Sequence, residues 1–186
     1  MATGCSCERG ANPASGRFES PGQLAAVRRN TIGLRPVADT VCIYRAPMRA
    51  RDLELPAGAG ADYGLAAGIV GIGPGVGEKA ARMLHRFATV PAGSFVWTRA
   101  SAGSYHLGQI SGDLREDRSP AAVSVGLVHV RATTWLARAF DETEVPRAVA
   151  DTFARGGRNF QRTHDGEAER MTAEIWWRYD RRRRRV

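Results

Sequence analysis

The stretch GIVGIGPGVGEKAARMLHRF, residues 68–87, combines a short apolar run, a glycine-rich turn and an amphipathic segment. Residues 69–72 are apolar and mostly β-branched, which predicts a buried strand. From residue 78 to residue 87, apolar side chains recur at the i, i+3, i+4, i+7 spacing of a helix, and basic side chains occupy the opposite face. The stretch therefore predicts a strand, a flexible turn and a helix in direct succession.

The glycines of this stretch have the spacing of neither standard phosphate-binding loop. A P-loop requires lysine followed by serine or threonine, whereas Lys79, the only lysine of the chain, precedes Ala80. The dinucleotide-binding fingerprint requires a third glycine where Val76 or Glu78 stands. Both kinds of nucleotide loop are excluded, so the stretch is expected to be scaffold, with its glycines at the border of any pocket.

Length and composition favour one domain with flanking tails. The 186 residues suffice for a single core, and no run of about 18 apolar residues predicts a membrane helix. We expect a disordered N-terminal arm over residues 1–38, a domain over 39–180 and a basic tail over 181–186. Three cysteines, an odd number, and no apolar signal-peptide core predict a cytoplasmic protein with free thiols.

The net charge of +8 is concentrated at the C-terminal end. The run Arg181–Arg185 leaves 22 basic against 19 acidic residues elsewhere, a net charge of only +3. The domain itself is therefore mildly basic, and the tail is expected to attract polyanions without selecting among them.

No sequence motif of a catalytic or metal site is present. The four histidines form no His-x-x-x-His pair, Cys5 and Cys7 have no second cysteine pair nearby, and no Gly-x-Ser-x-Gly occurs. We expect a protein that is not an enzyme and that holds neither metal nor cofactor. A Ser/His/Asp triad with dispersed members stays open as an alternative.

The predicted elements follow an order typical of a mixed sheet with outer helices. Residues 56–64 are expected to form a loop. Predicted strands cover residues 40–46, 69–72, 94–99, 104–112 and 122–136, and predicted helices cover 78–87, 145–157 and 166–179. Short hairpins between the later strands favour an α+β fold in which a curved mixed sheet closes toward a pseudo-barrel, with helices packed outside.

Residues 71–84 are also similar to a helix-hairpin-helix motif. Gly71-Ile72-Gly73 followed by a helix of small residues resembles the element that donates backbone N–H groups to a DNA phosphate. The motif requires a helix before its hairpin, and there the chain has Gly64, Gly68 and a β-branched end. Binding of the DNA backbone through this stretch is kept as a secondary possibility.

A longer series of motifs resembles EVE-like domains of the PUA superfamily. Over residues 40–163 the chain contains, in order, CIYRA, GIVGIG, LHRFATVPAGSFVWTR, SYHLGQISGDLRED, GLVHVRATTWL and VPRAVADTFARGGRNFQRT. In particular it is similar to the version at the front of Mrr-type restriction proteins. Ser94 stands where the family pattern has aspartate, and Pro74 and Gly75 stand where it has an aromatic residue.

The resemblance implies a pseudo-barrel whose pocket takes up a base, often a modified one, extruded from DNA or RNA. It also implies a restriction or defence setting. No nuclease fits in the remaining residues, so any effector would be a separate protein.

Side chains suited to an extruded base lie on the predicted strands. Stacking on aromatic faces contributes about 1–3 kcal/mol per base, and hydrogen bonds read the base edge. The aromatic candidates are Tyr44, Trp97, Tyr105 and Trp135, with Asp113 as an acceptor for an exocyclic amine. The candidates for backbone phosphates are Arg45, Arg99 and Arg131.

Each candidate also has a packing interpretation. A strand tryptophan more often belongs to the core than to a binding cage, and Asp113 could form a turn with Gly112. Of the adjacent Trp176 and Trp177, one is expected to pack and the other to border a groove or a partner surface.

We therefore predict a non-enzymatic module that reads a modified base of nucleic acid, of DNA more than of RNA. On this hypothesis, Trp97→Ala or Trp135→Ala weakens binding while the fold survives. The alternative is a protein-interaction or structural domain whose arginine tail binds polyanions non-specifically.

Overall fold

The structure, a computed structural model, describes residues 41–50, 53–157 and 159–183. The predicted arm over residues 1–38 lies outside these residues, and so do residues 184–186 of the predicted tail. The last helix continues to Arg183, so residues 181–183 of the predicted tail are helical.

Six strands and five α-helices make up the described part of the chain. The strands are β1 (Ile43–Arg45), β2 (Ile69–Ile72), β3 (Phe95–Arg99), β4 (Tyr105–Glu116), β5 (His129–Trp135) and β6 (Gln161–Thr163). The helices are α1 (Ala59–Ala67), α2 (Gly77–Ala88), α3 (Pro120–Ser124), α4 (Arg147–Ala154) and α5 (Gly166–Arg183), with a 3-10 turn at Glu142–Glu144.

The strands form one mixed sheet in the order β2-β5-β4-β3-β1-β6. Strands β1 and β3 pair in parallel, and the other four pairings are antiparallel. The predicted α+β class with a mixed sheet is confirmed. The edge strands β2 and β6 do not pair with each other, so closure of the sheet into a barrel by hydrogen bonds is not found among the described residues.

Helix α1 corrects the expectation of a loop over residues 56–64. The glycines of this segment predicted a loop, but two of them lie where α1 packs against other parts of the chain. A Cβ atom at Gly60 would lie 1.9 Å from the Met48 carbonyl oxygen, and one at Gly64 would lie 2.8 Å from the Ile69 carbonyl oxygen. The glycines therefore permit close packing of α1, which outweighs their low helix propensity.

The predicted strand over residues 122–136 is wrong in its first half. Residues 120–124 form α3, which Ser119 caps by accepting a hydrogen bond from the Ala122 amide at 3.3 Å. Gly126, with a φ of 68°, then turns the chain before β5 begins. A proline at the first helical position and a serine cap are helix-start signals that outweigh the β-branched residues.

The two faces of the sheet carry two separate cores. Along β3, Val96 points to the face that carries α1 and α2, whereas Phe95 and Trp97 point to the face that carries α4 and α5. The first core, here the α2-side core, contains Ile69, Val70, Phe87, Val96, Ile110, Leu127 and Val130 among others. The second, the α5-side core, contains Ile43, Phe95, Trp97, Tyr105, Leu107, Phe140 and Trp176 among others.

A buried arginine joins α2 to the middle of the sheet. Arg131 on β5 donates from Nε to the Gly112 carbonyl oxygen at 2.8 Å, and from Nη1 to the carbonyl oxygens of Val90 at 2.6 Å and Phe87 at 3.2 Å. Gly112 lies where the register between β4 and β5 shifts, and Phe87 and Val90 lie at the end of α2. Burial lowers the pKa of this guanidinium, which still remains protonated at neutral pH.

Replacing Arg131 should destabilise the fold strongly. Arg131→Met keeps a long side chain but leaves three carbonyl groups without their donor, so the free energy of unfolding should fall by on the order of 3 kcal/mol. Urea titration followed by tryptophan fluorescence measures the change. The control is Arg99→Met, at an exposed arginine, which should change stability by less than about 1 kcal/mol. Equal losses in both variants would contradict the tethering role of Arg131.

Candidate functional site

Two of the four predicted aromatic binding residues are buried in the α5-side core. Trp97 is completely buried, and its indole N–H donates to the Thr172 hydroxyl on α5 at 3.1 Å. Tyr105 is 1% exposed and packs its ring edge-on against Phe153 of α4. Neither ring can stack on a base while α4 and α5 cover this face, so the predicted cage of Trp97 and Tyr105 is wrong.

The other two, Tyr44 and Trp135, are half-buried and belong to the α2-side core. Tyr44 stacks on Phe160 with ring centroids 5.0 Å apart. Trp135 donates its indole N–H to the Gly64 carbonyl oxygen at 3.2 Å, and its ring covers Gly108, where a Cβ atom would lie 2.5 Å from the ring. The four aromatic residues therefore do not converge on one cavity.

Arg45 is buried and structural, as is Arg131. It donates hydrogen bonds to the carbonyl oxygens of Thr152, of Gly156 at 2.7 Å and of Asn159 at 3.3 Å, and burial lowers its pKa. Its guanidinium thus holds the end of α4 and the segment after it against β1. The prediction that Arg45 and Arg131 contact phosphates is wrong, because each is already paired with carbonyl groups inside the fold.

Arg99 and Asp113 are exposed, as a binding role would require, but they lie at different places. The Arg99 guanidinium stands 5.3 Å from the centre of the Tyr105 ring, and its Nε donates to the Gly103 carbonyl oxygen at 3.0 Å. Asp113 lies in the irregular part of β4, between Ile110 and Leu114. Neither residue lines the apolar cavity at the end of β2.

That cavity, of about 230 Å³, lies at the end of β2 on the α2 side of the sheet. Its walls come from the segment after β1, the end of β2 with the loop that follows, α3 with its turn, and one residue each from α2 and the loop before β6. The lining residues are Ala46, Pro47, Met48, Arg49, Ala50, Leu53, Gly71, Ile72, Gly73, Pro74, Met83, Val123, Gly126, Val128 and Phe160. Of the glycines in the quoted stretch, Gly71 of β2 and Gly73 after it line this cavity.

Two glycines bring the cavity walls together. A Cβ atom at Gly73 would lie 2.9 Å from the Gly126 carbonyl oxygen, and one at Gly126 would lie 2.6 Å from the Ala50 Cβ. Each contact is shorter than a real Cβ tolerates, so the three segments can meet only without side chains at these positions.

Met48, in the opposite wall, has a left-handed backbone with a φ of 47°, unique among the non-glycine residues that the structure describes. A non-glycine residue in this region costs about 1–3 kcal/mol, and such strain tends to occur at binding sites. Met48 is nevertheless 3% exposed, because its side chain packs against Gly64 of α1.

The mouth of the cavity is apolar with basic side chains nearby. Leu53 and Val123 line it and are 42% and 49% exposed. Arg49 also lines it, and Lys79 and Arg86 lie four residues before and three residues after Met83 on α2. Residues at these spacings are neighbours on a helix surface, so both exposed cations lie beside Met83 on α2.

Sequence reasoning missed Met48, Met83 and Phe160 as cavity residues. Met83 was assigned to helix packing, and neither methionine has a motif around it. The signal that did point here was the glycine-rich turn after a buried strand.

Two further properties of the described residues concern metal ions and membranes. No group of three or more histidine, cysteine, aspartate or glutamate side chains is positioned among them to hold a metal ion. No helix in the same part of the chain combines the length and the apolar character that a membrane span requires.

Comparison with models of known protein families gives no match, and comparison with curated protein sequences gives none either. Among solved structures, the chain is similar to the YTH domain of the Zygosaccharomyces rouxii MRB1 protein in complex with N6-methyladenosine RNA. The TM-score is 0.45 at 14% identity, over 78% of this chain and 88% of that one. It is also similar to protein Atu2648 from Agrobacterium tumefaciens, with a TM-score of 0.33 at 13% identity, over 71% and 93% of the two chains. Identities at this level transfer no residue role to this chain.

Trp97→Ala should lower the stability of the protein rather than alter a binding surface. Removing a fully buried indole leaves a cavity between β3 and α5, so the free energy of unfolding should fall by about 3–5 kcal/mol. The matched control is Trp177→Ala, because Trp177 on α5 is 46% exposed and should cost less than about 1 kcal/mol. Thermal melts of both variants test this, and a wild-type melting temperature for Trp97→Ala would contradict its core role.

Proposed function

We propose that the cavity takes up one methylated base extruded from nucleic acid, and that the protein is a non-enzymatic reader of that base. The observation that carries the proposal is an open apolar cavity of about 230 Å³ that Arg49 lines, with the exposed Lys79 and Arg86 beside Met83 on α2. An apolar interior suits a methyl group and a flat ring, and a basic border suits the phosphates on either side of it.

The size of the cavity limits its occupant to a small molecule or group. Pockets for drug-sized ligands have volumes of about 300–1,000 Å³, so a cavity of about 230 Å³ suits one flat ring system rather than a dinucleotide cofactor or a peptide. A methyl group that fills apolar space changes binding by about 1–3 kcal/mol, which corresponds to a preference of about tenfold or more. A methylated base should therefore bind in this cavity more tightly than an unmodified one.

Methionine and phenylalanine supply the contacts that an aromatic cage supplies elsewhere. Met48, Met83 and Phe160 line the cavity, and thioether sulfur contributes about 0.3–1.5 kcal/mol on contact with an aromatic ring. At Gly71 and Gly73 the wall is main chain without side chains, so peptide groups can approach the edge of a base. These residues replace Trp97 and Tyr105 in the base-binding role.

DNA is the first polymer to test, because the sequence resembles modules that direct restriction of DNA. In that setting a separate effector protein would act on the bound nucleic acid. RNA with the same methylated base belongs in the same experiment, since the base chemistry is shared and only the sugar differs.

The interaction-module alternative is favoured by a different surface. Trp177 is 46% exposed on α5, and this helix continues into the arginine run at the C-terminal end. Binding through that surface would depend on salt but not on methylation.

A charge placed in the cavity wall should abolish the preference for methylated bases. Met83→Glu introduces a carboxylate beside the bound ring, whereas Ala81→Glu adds the same charge to an exposed position of the same helix. Fluorescence anisotropy of the full chain would use oligonucleotides with one N6-methyladenine, N4-methylcytosine or 5-methylcytosine, or none, as DNA and as RNA. The wild type and Ala81→Glu should bind one methylated oligonucleotide about tenfold more tightly than its unmodified counterpart, and Met83→Glu should bind both equally.

The ratio of the two affinities is the decisive quantity in this experiment. Contacts between the arginine run and phosphates are the same for both oligonucleotides, so they cancel in the ratio. The proposal fails if the wild type binds all the oligonucleotides equally, or if both glutamate variants lose the preference to the same extent.

A further inference from the structure

Val76 stands in the loop that joins β2 to α2, two residues after Pro74 of the cavity wall. Its side chain is 97% exposed, the highest value among the exposed large hydrophobic residues of the described structure. A β-branched apolar side chain in water contributes nothing to the core, so Val76 is available to a partner.

The loop holds Val76 in a defined position. Gly77 has a φ of 80°, which turns the chain into α2, and a Cβ atom at Gly75 would lie 2.7 Å from the Ala80 Cβ. The loop is thus folded back onto the first turn of α2, with Pro74 fixed in the cavity wall. Glycine on each side of Val76 makes this tight course possible and leaves its side chain projecting outward.

Extruding a base from a duplex leaves a gap in the stack. The neighbouring base pairs lose their stacking partner, which costs a few kcal/mol per step, and proteins commonly offset this cost by inserting an apolar side chain. A side chain can do so only if it lies beside the pocket that receives the base, is exposed before binding, and is apolar. Val76 meets all three requirements.

We propose that Val76 is a wedge: when a base is extruded into the cavity, the Val76 side chain enters the gap left in the base stack. On this proposal the target base belongs to a duplex. The inference rests on the proposed function of the cavity, and it adds that the nucleic acid is double-stranded. Arg49 lines the cavity and the exposed Lys79 lies three residues after Val76, so both cations can meet phosphates near the extruded nucleotide. Glu78 is paired with Arg82 at 3.1 Å, which partly offsets its negative charge near the loop.

The test compares one methylated base in two contexts, a duplex and the corresponding single strand. The base is the one that the wild type prefers in the anisotropy screen, and 2-aminopurine is placed next to it to report unstacking. Val76→Ser should weaken duplex binding about tenfold and reduce the rise in 2-aminopurine fluorescence, because the serine cannot replace the lost stacking. Binding of the single strand should change less than about twofold, because no stack has to be opened.

Two further variants separate a wedge from an ordinary wall of the pocket. Val76→Leu keeps an apolar side chain and should retain most of the duplex binding. Val123→Ser makes the same chemical change at a residue that lines the cavity, and it should weaken duplex and single strand by the same factor.

Each alternative result is decisive. Equal loss for duplex and single strand in Val76→Ser would make Val76 part of the pocket wall, and no loss for either would remove it from the interface; both results overturn the wedge and leave the cavity's function intact. The absence of any methyl preference in wild-type binding of the single strand overturns the proposed function itself.

Discussion

The position of the cavity depends on one buried guanidinium group. Arg131 on β5 connects the Gly112 carbonyl, in the irregular part of β4, with the carbonyl groups of Phe87 and Val90 at the end of α2. A buried charge is tolerated only when its donors are paired. Here the partners are backbone carbonyl groups outside the regular hydrogen bonding of the sheet and of α2. Because α2 carries Met83 and begins directly after the loop of Val76, the same contact fixes one wall of the cavity and the loop beside it.

The remaining walls depend on contacts that only glycine permits. Gly73 meets Gly126 across the cavity, and Gly60 lies against the Met48 carbonyl group. Met48 itself has a left-handed backbone, so a strained residue of the cavity wall lies directly against α1.

The sequence predicted the elements that have a clear periodicity, but it missed the capped helix α3 and failed where contacts with a distant element determine the structure. The strand at residues 69–72 and the helix beginning near Glu78 followed from spacing alone. Phe95 and Trp97 are two residues apart, so strand geometry puts them on one face of β3, but only the packing of α5 determines that this face is covered. Arg45 is buried for a similar reason, because its carbonyl partners come from residues more than 100 positions away. Such pairings have no local signature, so an arginine beside an aromatic residue predicts a phosphate contact and a structural tether equally well.

A pocket of methionine and phenylalanine should recognise a base differently from a cage of tryptophans. Tryptophan faces are rigid and define one plane for the ring, whereas methionine has three rotatable bonds and adapts to the shape beside it. Met48 has a left-handed backbone and packs against α1, whereas Met83 is half-buried on α2. The preference for one base over another should therefore depend on whether the base carries a methyl group more than on where the methyl group is attached to the ring. It follows that the affinity difference between two methylated bases should be smaller than the difference between either of them and its unmodified form.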